Sequence, residues 1–260
     1  MTRSFLIGIA AAVASLGSAA AADMPLKAPP PVPYIWTGCY VGATVGGGFG
    51  TKTFQDTSDS AIIDPTGPGG RSVDVTTVGV IGGGQVGCDY QFSQNWVIGV
   101  QGNFDATSLR GSAVDSFTTG TPYPLTLNAN VDSVFAAIAR IGYTPVINWL
   151  FYLEGGAAWA HDRYSISVAN PGALPIIPAY SSPSETRTGA VVGAGVEWIF
   201  WQNWSAFVQW DHYFFGDSSV PFACSGLACG PTIQHVNISQ DIDTFRAGVN
   251  FRFSAWPGPH

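Results

Sequence analysis

Charge is what this 260-residue sequence has least of: Asp, Glu, Lys and Arg make up 10% of it, against about 25% in an ordinary soluble domain. Only two lysines occur, Lys27 and Lys52, and the formal net charge is −7. Binding to a phosphate backbone needs clustered Lys and Arg, so a nucleic-acid partner is excluded. No basic patch for anionic lipid is visible along the chain either. Long apolar runs are also missing. Outside the N-terminus none approaches the ~20 residues of a membrane-crossing helix. The Gly-rich run Gly82 to Gly84 opens no helix and so is not a phosphate loop. A serine nucleophile elbow is absent, and the histidines stand apart at His161, His212, His235 and the last residue.

What is present is apolar and aromatic: 46% hydrophobic, 13% aromatic, with 32 glycines. Arg3, the apolar stretch from Phe5 to Val13 and the small residues ending in Ala20-Ala21-Ala22 have the form of a secretory signal. Cleavage is expected after Ala22, which removes Arg3 and takes the net charge from −7 to −8. Residues 23–35, with Pro29-Pro30-Pro31, read as an extended periplasmic linker.

From Trp36 onward the hydrophobic period is two. Eight alternating segments follow, near 36–49, 75–92, 95–108, 131–143, 149–165, 186–200, 204–216 and 238–253. Each exceeds the ~9–11 residues that a tilted strand needs to cross a bilayer. In the second, Val78, Val80, Val86 and Tyr90 oppose Gln85 and Asp89; in the third, Trp96, Ile98, Val100 and Phe104 oppose Gln101, Asn103 and Asp105. The sixth sets Ala190, Val192, Val196 and Trp198 against Arg187 and Glu197, and the eighth sets Phe245, Val249, Phe251 and Phe253 against Arg246, Asn250 and Arg252. Apolar-out and polar-in at period two is the pattern of a barrel standing in lipid. Glycines within the strands (Gly46 to Gly48, Gly82 to Gly84) permit tight curvature and leave room for long inward side chains.

Asn-Trp opens three of these segments, at Asn95-Trp96, Asn148-Trp149 and Asn203-Trp204, each just after a short turn. Trp36 opens the first segment without the Asn. The other connections, about 50–74, 109–130, 166–185 and 217–237, are long, polar and rich in Gly, Pro and Ser. Short turns on one side and long loops on the other place both ends of an even-stranded barrel in the periplasm. Trp36, Trp96, Trp149 and Trp204 are then expected to anchor the inner membrane interface. The 53- and 55-residue spacings between successive Asn-Trp pairs also suit propeller blades, but a propeller needs more charged faces and no tryptophan rim. The fold class is therefore all-β: an eight-stranded antiparallel transmembrane β-barrel over 36–253 with a tail at 254–260.

Inward parity collects Asp89, Asp105, Arg140, Glu154, Glu197, Asp211, Arg246 and Arg252. An uncompensated charge inside so narrow a barrel costs several kcal/mol, roughly, so acid–arginine pairs are expected to fill the lumen. That network reads either as a plugged core or as a narrow charged pathway. In a secreted chain four cysteines suggest disulfides. Cys224 and Cys229 sit in the last long loop. Pairing the first two strands so that partner numbers sum to 127 sets Cys39 opposite Cys88 on the lipid-facing parity. No metal or cofactor site is expected, and no catalytic set: His161-Asp162, Asp211-His212 and His235 are the parts available.

WTGCYVGATVGGG (36–48), after a Pro-rich linker, resembles the start of the alphaproteobacterial outer-membrane immunogenic proteins, small porin-like barrels of the OmpA-like transmembrane superfamily. ARIGYTPVINWLFYLEGGAAWA (139–160), GAGVEWIFWQNWSAFVQW (193–210) and FRAGVNFRF (245–253) are similar to later strands of that family, in the same order. The resemblance implies an eight-stranded outer-membrane barrel and an abundant surface antigen, multi-pass, with lipid, lipopolysaccharide and the barrel-assembly machinery as partners. Barrels of this kind commonly end on an aromatic; here Phe253 or Trp256 would serve. Relatives are described as structural, porin-like or haem-binding. The expected function is envelope integrity and surface display, with a narrow pore, or a small ligand or haem at the loops, as alternatives. His161 or His235 would be the haem ligand.

Overall fold

The structure, a computed structural model, describes residues 36–56, 72–114, 125–168, 179–181, 184–225 and 233–253. The signal, the linker, the C-terminal tail with Trp256, and Cys229 lie outside the described residues. Among the described residues nine strands form one antiparallel sheet: β1 (Gly38–Asp56), β2 (Ser72–Gln91), β3 (Trp96–Val114), β4 (Leu125–Val146), β5 (Trp149–Val168), β6 (Ala179–Ser181), β7 (Glu185–Trp201), β8 (Trp204–Ser225) and β9 (Ile233–Phe253). Each long strand pairs with the long strand next to it in the chain, and β1 pairs with β9, which closes the ring. The three-residue β6 lies between β5 and β8, in the place that β7 takes further down. Eight long strands therefore make the wall. Closure leaves no edge strand with unpaired backbone groups, which lipid could not satisfy.

β1 and β2 pair with Gly38 opposite Asp89 and Cys39 opposite Cys88, the register expected from the sequence. The two cysteines, both facing outward, form a disulfide. Each Asn-Trp turn is tied to the next hairpin. The Asn95 side-chain amide donates to the Thr144 carbonyl at 2.6 Å, and that of Asn203 to the Arg252 carbonyl at 2.6 Å. The Asn148 carbonyl accepts from the Ile199 N–H at 2.9 Å. The asparagines are clamps between turns, a role distinct from that of the tryptophans beside them.

The strands run further than the alternation suggested, to Asp56, Val114, Val168 and Ser225 at their outer ends. The pattern inverts there. Lower down, apolar side chains point out and polar ones in. Higher up, Phe54, Val75, Leu127, Val220, Phe222 and Ile238 point in and are buried, while Thr51, Gln55, Asp74 and Thr76 are exposed. Register shifts at Ala106/Leu109, Val131/Ser133 and Phe214/Asp217 lie near this changeover and reset which residues face inward. A bulge inserts an unpaired residue and bends its strand. In β8 it contains Gly216 at φ +59°, backbone that a side chain rarely tolerates.

Candidate functional site

The lumen is built in layers. At its inner end Trp36, Val97, Leu150, Tyr152 and Ile199 form an apolar plug. Trp36 is completely buried. Its indole N–H donates to the Ile147 carbonyl at 3.1 Å, and the Arg252 guanidinium stacks 4.8 Å above its ring. This corrects the expectation that Trp36 anchors the membrane interface. It precedes the first strand, and Gly38 at φ 152° lets the chain bend into the barrel mouth. Trp96, Trp149 and Trp204 do face outward at the inner rim, where Trp96 packs edge-on against Tyr143 and Trp149 stacks on Trp198. Trp36 differs from them in lacking the preceding Asn, the one signal that could have set it apart.

Above the plug, Asp89 of β2, Arg140 of β4, Glu197 of β7 and Arg252 of β9 form a closed ion-pair ring. Each arginine touches both carboxylates. Arg140 bonds Asp89 through Nε at 2.8 Å and through Nη2, which also reaches Glu197 at 3.4 Å; Arg252 meets Glu197 at 2.8 Å and Asp89 through its other nitrogen. The four residues come from alternate positions around the wall, so the ring braces the barrel across its width. Two positive and two negative charges balance, and Asn250 and Ser205 donate further bonds to Glu197. The Tyr40 ring lies 4.7 Å from the Arg140 guanidinium and 5.1 Å from that of Arg252. Large inward side chains fit because their neighbours are glycines. A methyl group at Gly87 would strike the Tyr40 hydroxyl, and one at Gly195 the Tyr152 ring.

The next layer joins Asp105, Asp211, Glu154 and Arg246. Arg246 reaches Asp105 at 2.6 Å and Asp211 at 2.7 Å, Thr44 donates to Asp105 at 2.8 Å, and the Gln209 amide bridges Glu154 (3.0 Å) and Asp211 (2.9 Å). Three carboxyl groups here share one arginine, and the Glu154 Oε2 has no hydrogen-bond partner. The eight charged positions expected inward thus divide into a balanced ring and an acid-rich cluster. An apolar layer follows, with Leu109, Val131, Ile242 and the stacked Tyr213 and Phe215.

A third polar layer adds Lys52, Asp162 and Tyr164 to Arg187, the one member that the alternation of the sixth segment places inward. Lys52 bonds Asp162 at 3.0 Å, the Tyr164 hydroxyl donates to the same carboxylate at 3.0 Å, and Arg187 donates to the carbonyls of Gly216 (2.7 Å) and Ile238 (2.6 Å). Lys52 falls in a segment whose composition suggests a loop, and Asp162 stands next to His161, which suggests a His-acid pair instead. Inward parity in β5, continued upward from Glu154, would have found Asp162.

The adjacent His-acid pairs do not converge. His161 faces outward against the Thr186 hydroxyl at 3.3 Å, while Asp162 is buried on the other face of β5. His212 faces outward onto Asp243 at 2.9 Å, while Asp211 points inward to Arg246, and His235 is exposed on β9. The side chain of Cys224, like Cys229, lies outside what is described, so the loop disulfide does too.

The family described as outer membrane protein beta-barrel domain matches residues 9–253. The 31 kDa outer-membrane immunogenic proteins of Brucella melitensis biotype 1 and Brucella suis biovar 1 are each 24% identical to the chain over 259 residues, 97% of its length and 100% of theirs. Among solved structures, the outer membrane protease OmpT of Escherichia coli superposes with a TM-score of 0.55 at 8% identity, over 86% of this chain and 99% of that one; the likeness is one of fold. The chain belongs to the outer-membrane β-barrel family and crosses the outer membrane repeatedly.

Proposed function

We propose that this outer-membrane barrel is a structural, surface-forming component of the envelope with a closed lumen. One observation carries the reading: the inward side chains are buried from the Trp36 plug to Phe222, and most of their charged groups are held in ion pairs or hydrogen bonds. Lys52, Asp162, Glu197 and Asp211 expose none of their surface, so no water-sized space adjoins them. An eight-stranded barrel has an interior just wide enough for side chains to fill. Filling by a balanced ion-pair ring, a carboxyl cluster around Arg246 and apolar layers supports a closed wall over a narrow pore.

In this role the outward apolar residues and the tryptophans of the inner rim hold the barrel in the lipid. The long connections display surface, in keeping with relatives named for their immunogenicity. Membrane lipid, lipopolysaccharide and the assembly machinery are the proposed partners. We assign no catalytic role and no cofactor; the sequence-adjacent pairs His161-Asp162 and Asp211-His212 are each split between the two faces of the wall. The role is tested by deleting the protein and measuring sensitivity to a bile salt and to a large antibiotic. Increased sensitivity, reversed by the wild-type chain, is the expected result; an unchanged envelope would contradict the role.

A further inference from the structure

Outside the barrel, the wall made by β3, β4 and β5 differs from the rest. Pairing sets Arg110 of β3 opposite Asn130 of β4, and Asn130 opposite Arg163 of β5, so the three form one outward row. The bulge at Val131/Ser133 leaves Asp132 on the outer side of the wall. There it grips Arg163 through two bonds, Nε–Oδ2 at 2.6 Å and Nη2–Oδ1 at 2.7 Å. The Arg163 side chain remains 63% exposed within this pair, so its Nη1 is still available. Arg110 is exposed and makes no hydrogen bond or ion pair among the described residues. His161 lies two residues below Arg163 on the same face, its Nδ1 against Thr186.

Below this row lies an aromatic one. Phe104 faces Phe135, which faces Trp159, with the last two ring centroids 5.3 Å apart. Trp159 stands ten residues above Trp149 on β5. At ~3.3 Å per residue and a tilt of about 40°, that is about 25 Å, the height of an outer-membrane apolar band. The aromatic row is therefore the outer girdle, and the arginine row sits about 10 Å above it by the same geometry. That is the level of the outer-leaflet headgroups.

Two arginines against one aspartate leave this wall positive. Among the described residues Arg110 and Arg163 are the only outward-facing lysines or arginines, the others being buried in the lumen. The wall of β8 and β9 instead turns Asp217, Asp241 and Asp243 outward. Arginine forks suit phosphate oxygens, and an aromatic shelf beneath them suits acyl chains. We propose that the β3–β5 wall binds lipid A, the phosphorylated glycolipid of the outer leaflet, with one phosphate between Arg110 and Arg163 and the acyl chains against Phe104, Phe135 and Trp159. This rests on the orientation that puts the long connections outside the cell. It does not require a closed lumen, so either idea can fail without the other. The basic pair was invisible along the chain because its members are 53 residues apart and strand pairing alone unites them.

The test is native mass spectrometry of the full chain in neutral detergent, titrated with bisphosphorylated lipid A. The same lipid stripped of phosphate and phosphatidylglycerol serve as the other probes. The wild type should retain one lipid A. R110Q/R163Q should need about tenfold more, the scale of one lost charge-assisted hydrogen bond. D241N on the opposite wall should bind like the wild type, and the phosphate-free lipid should bind wild type as poorly as lipid A binds the double variant. Equal retention by the double variant, or equal binding of the phosphate-free lipid, overturns the site. Phosphatidylglycerol binding as tightly as lipid A overturns the assignment to the glycolipid. Heat-modifiable gel mobility checks folding, and R110Q alone, which leaves no partner unpaired, is the variant to use should the double one misfold.

Discussion

The lower and upper halves of this barrel are built from the same strands by opposite rules. Below the bulges, Val45, Val86, Val100, Leu153 and Val208 face outward while Asp89, Gln101, Arg140 and Glu197 face in. Above them, Thr51, Asp74 and Thr76 face outward while Phe54, Leu127, Val220 and Ile238 face in. The strands run on through the bulges; what changes is the solvent. In lipid the outer surface must be apolar, which leaves the inside for polar groups that satisfy one another. In water the same cylinder behaves as a soluble barrel with an oily core. The lumen is sealed twice, by ion pairs where the wall is in lipid and by hydrophobic packing where it is not.

The sharpest break in the lower seal is Arg140→Met. It strands Asp89 and Glu197 against a single arginine, and removing one partner of a buried ion pair costs roughly 3–5 kcal/mol. A urea midpoint that stays put would mean the ring does not brace the barrel. The upper seal is probed by Leu127→Ala, a buried truncation with an expected loss of about 2–5 kcal/mol. Its effect should be as large in detergent as in lipid, because this half is not in the bilayer. The outer surface is probed by one substitution made twice. Val100→Arg places a charge near the middle of the apolar band and should cost about 2–4 kcal/mol in lipid vesicles. Thr76→Arg, on the outward face of the upper half, should change stability by less than ~0.5 kcal/mol. Equal effects would erase the boundary between the halves. A similarly small change is expected from Arg163→Ala, which breaks an exposed pair worth ~0.2–1 kcal/mol to chemical denaturation.

The same contrast explains what could be read from the chain. The lower half was legible: alternation picked out the strands, parity put Asp105, Arg246 and Arg252 on one side, and a pairing sum set Cys39 against Cys88. The upper half was not, because a reader looking for apolar-out meets apolar-in and takes Phe54, Leu127 or Phe222 for loop. The bulges add to this, since the inserted residues in β4 and β8 shift parity partway along a strand. Lys52 and Asp162 lie on strands whose parity runs unbroken; Lys52 is hidden by the loop-like composition of its segment and Asp162 by its neighbour His161, although each is among the most buried charges of the described residues. Trp36 was misassigned because a tryptophan at the rim and one in the mouth look alike until Gly38 and Arg252 are seen around it.

The most direct test of the doubly sealed lumen is single-channel recording in a planar bilayer, using protein whose fold is verified by heat-modifiable gel mobility. The two seals predict silence from the folded protein across the usual range of voltage. Reproducible, resolved current steps from it would show a continuous water path past the ion-pair ring and the upper core, and would contradict the account.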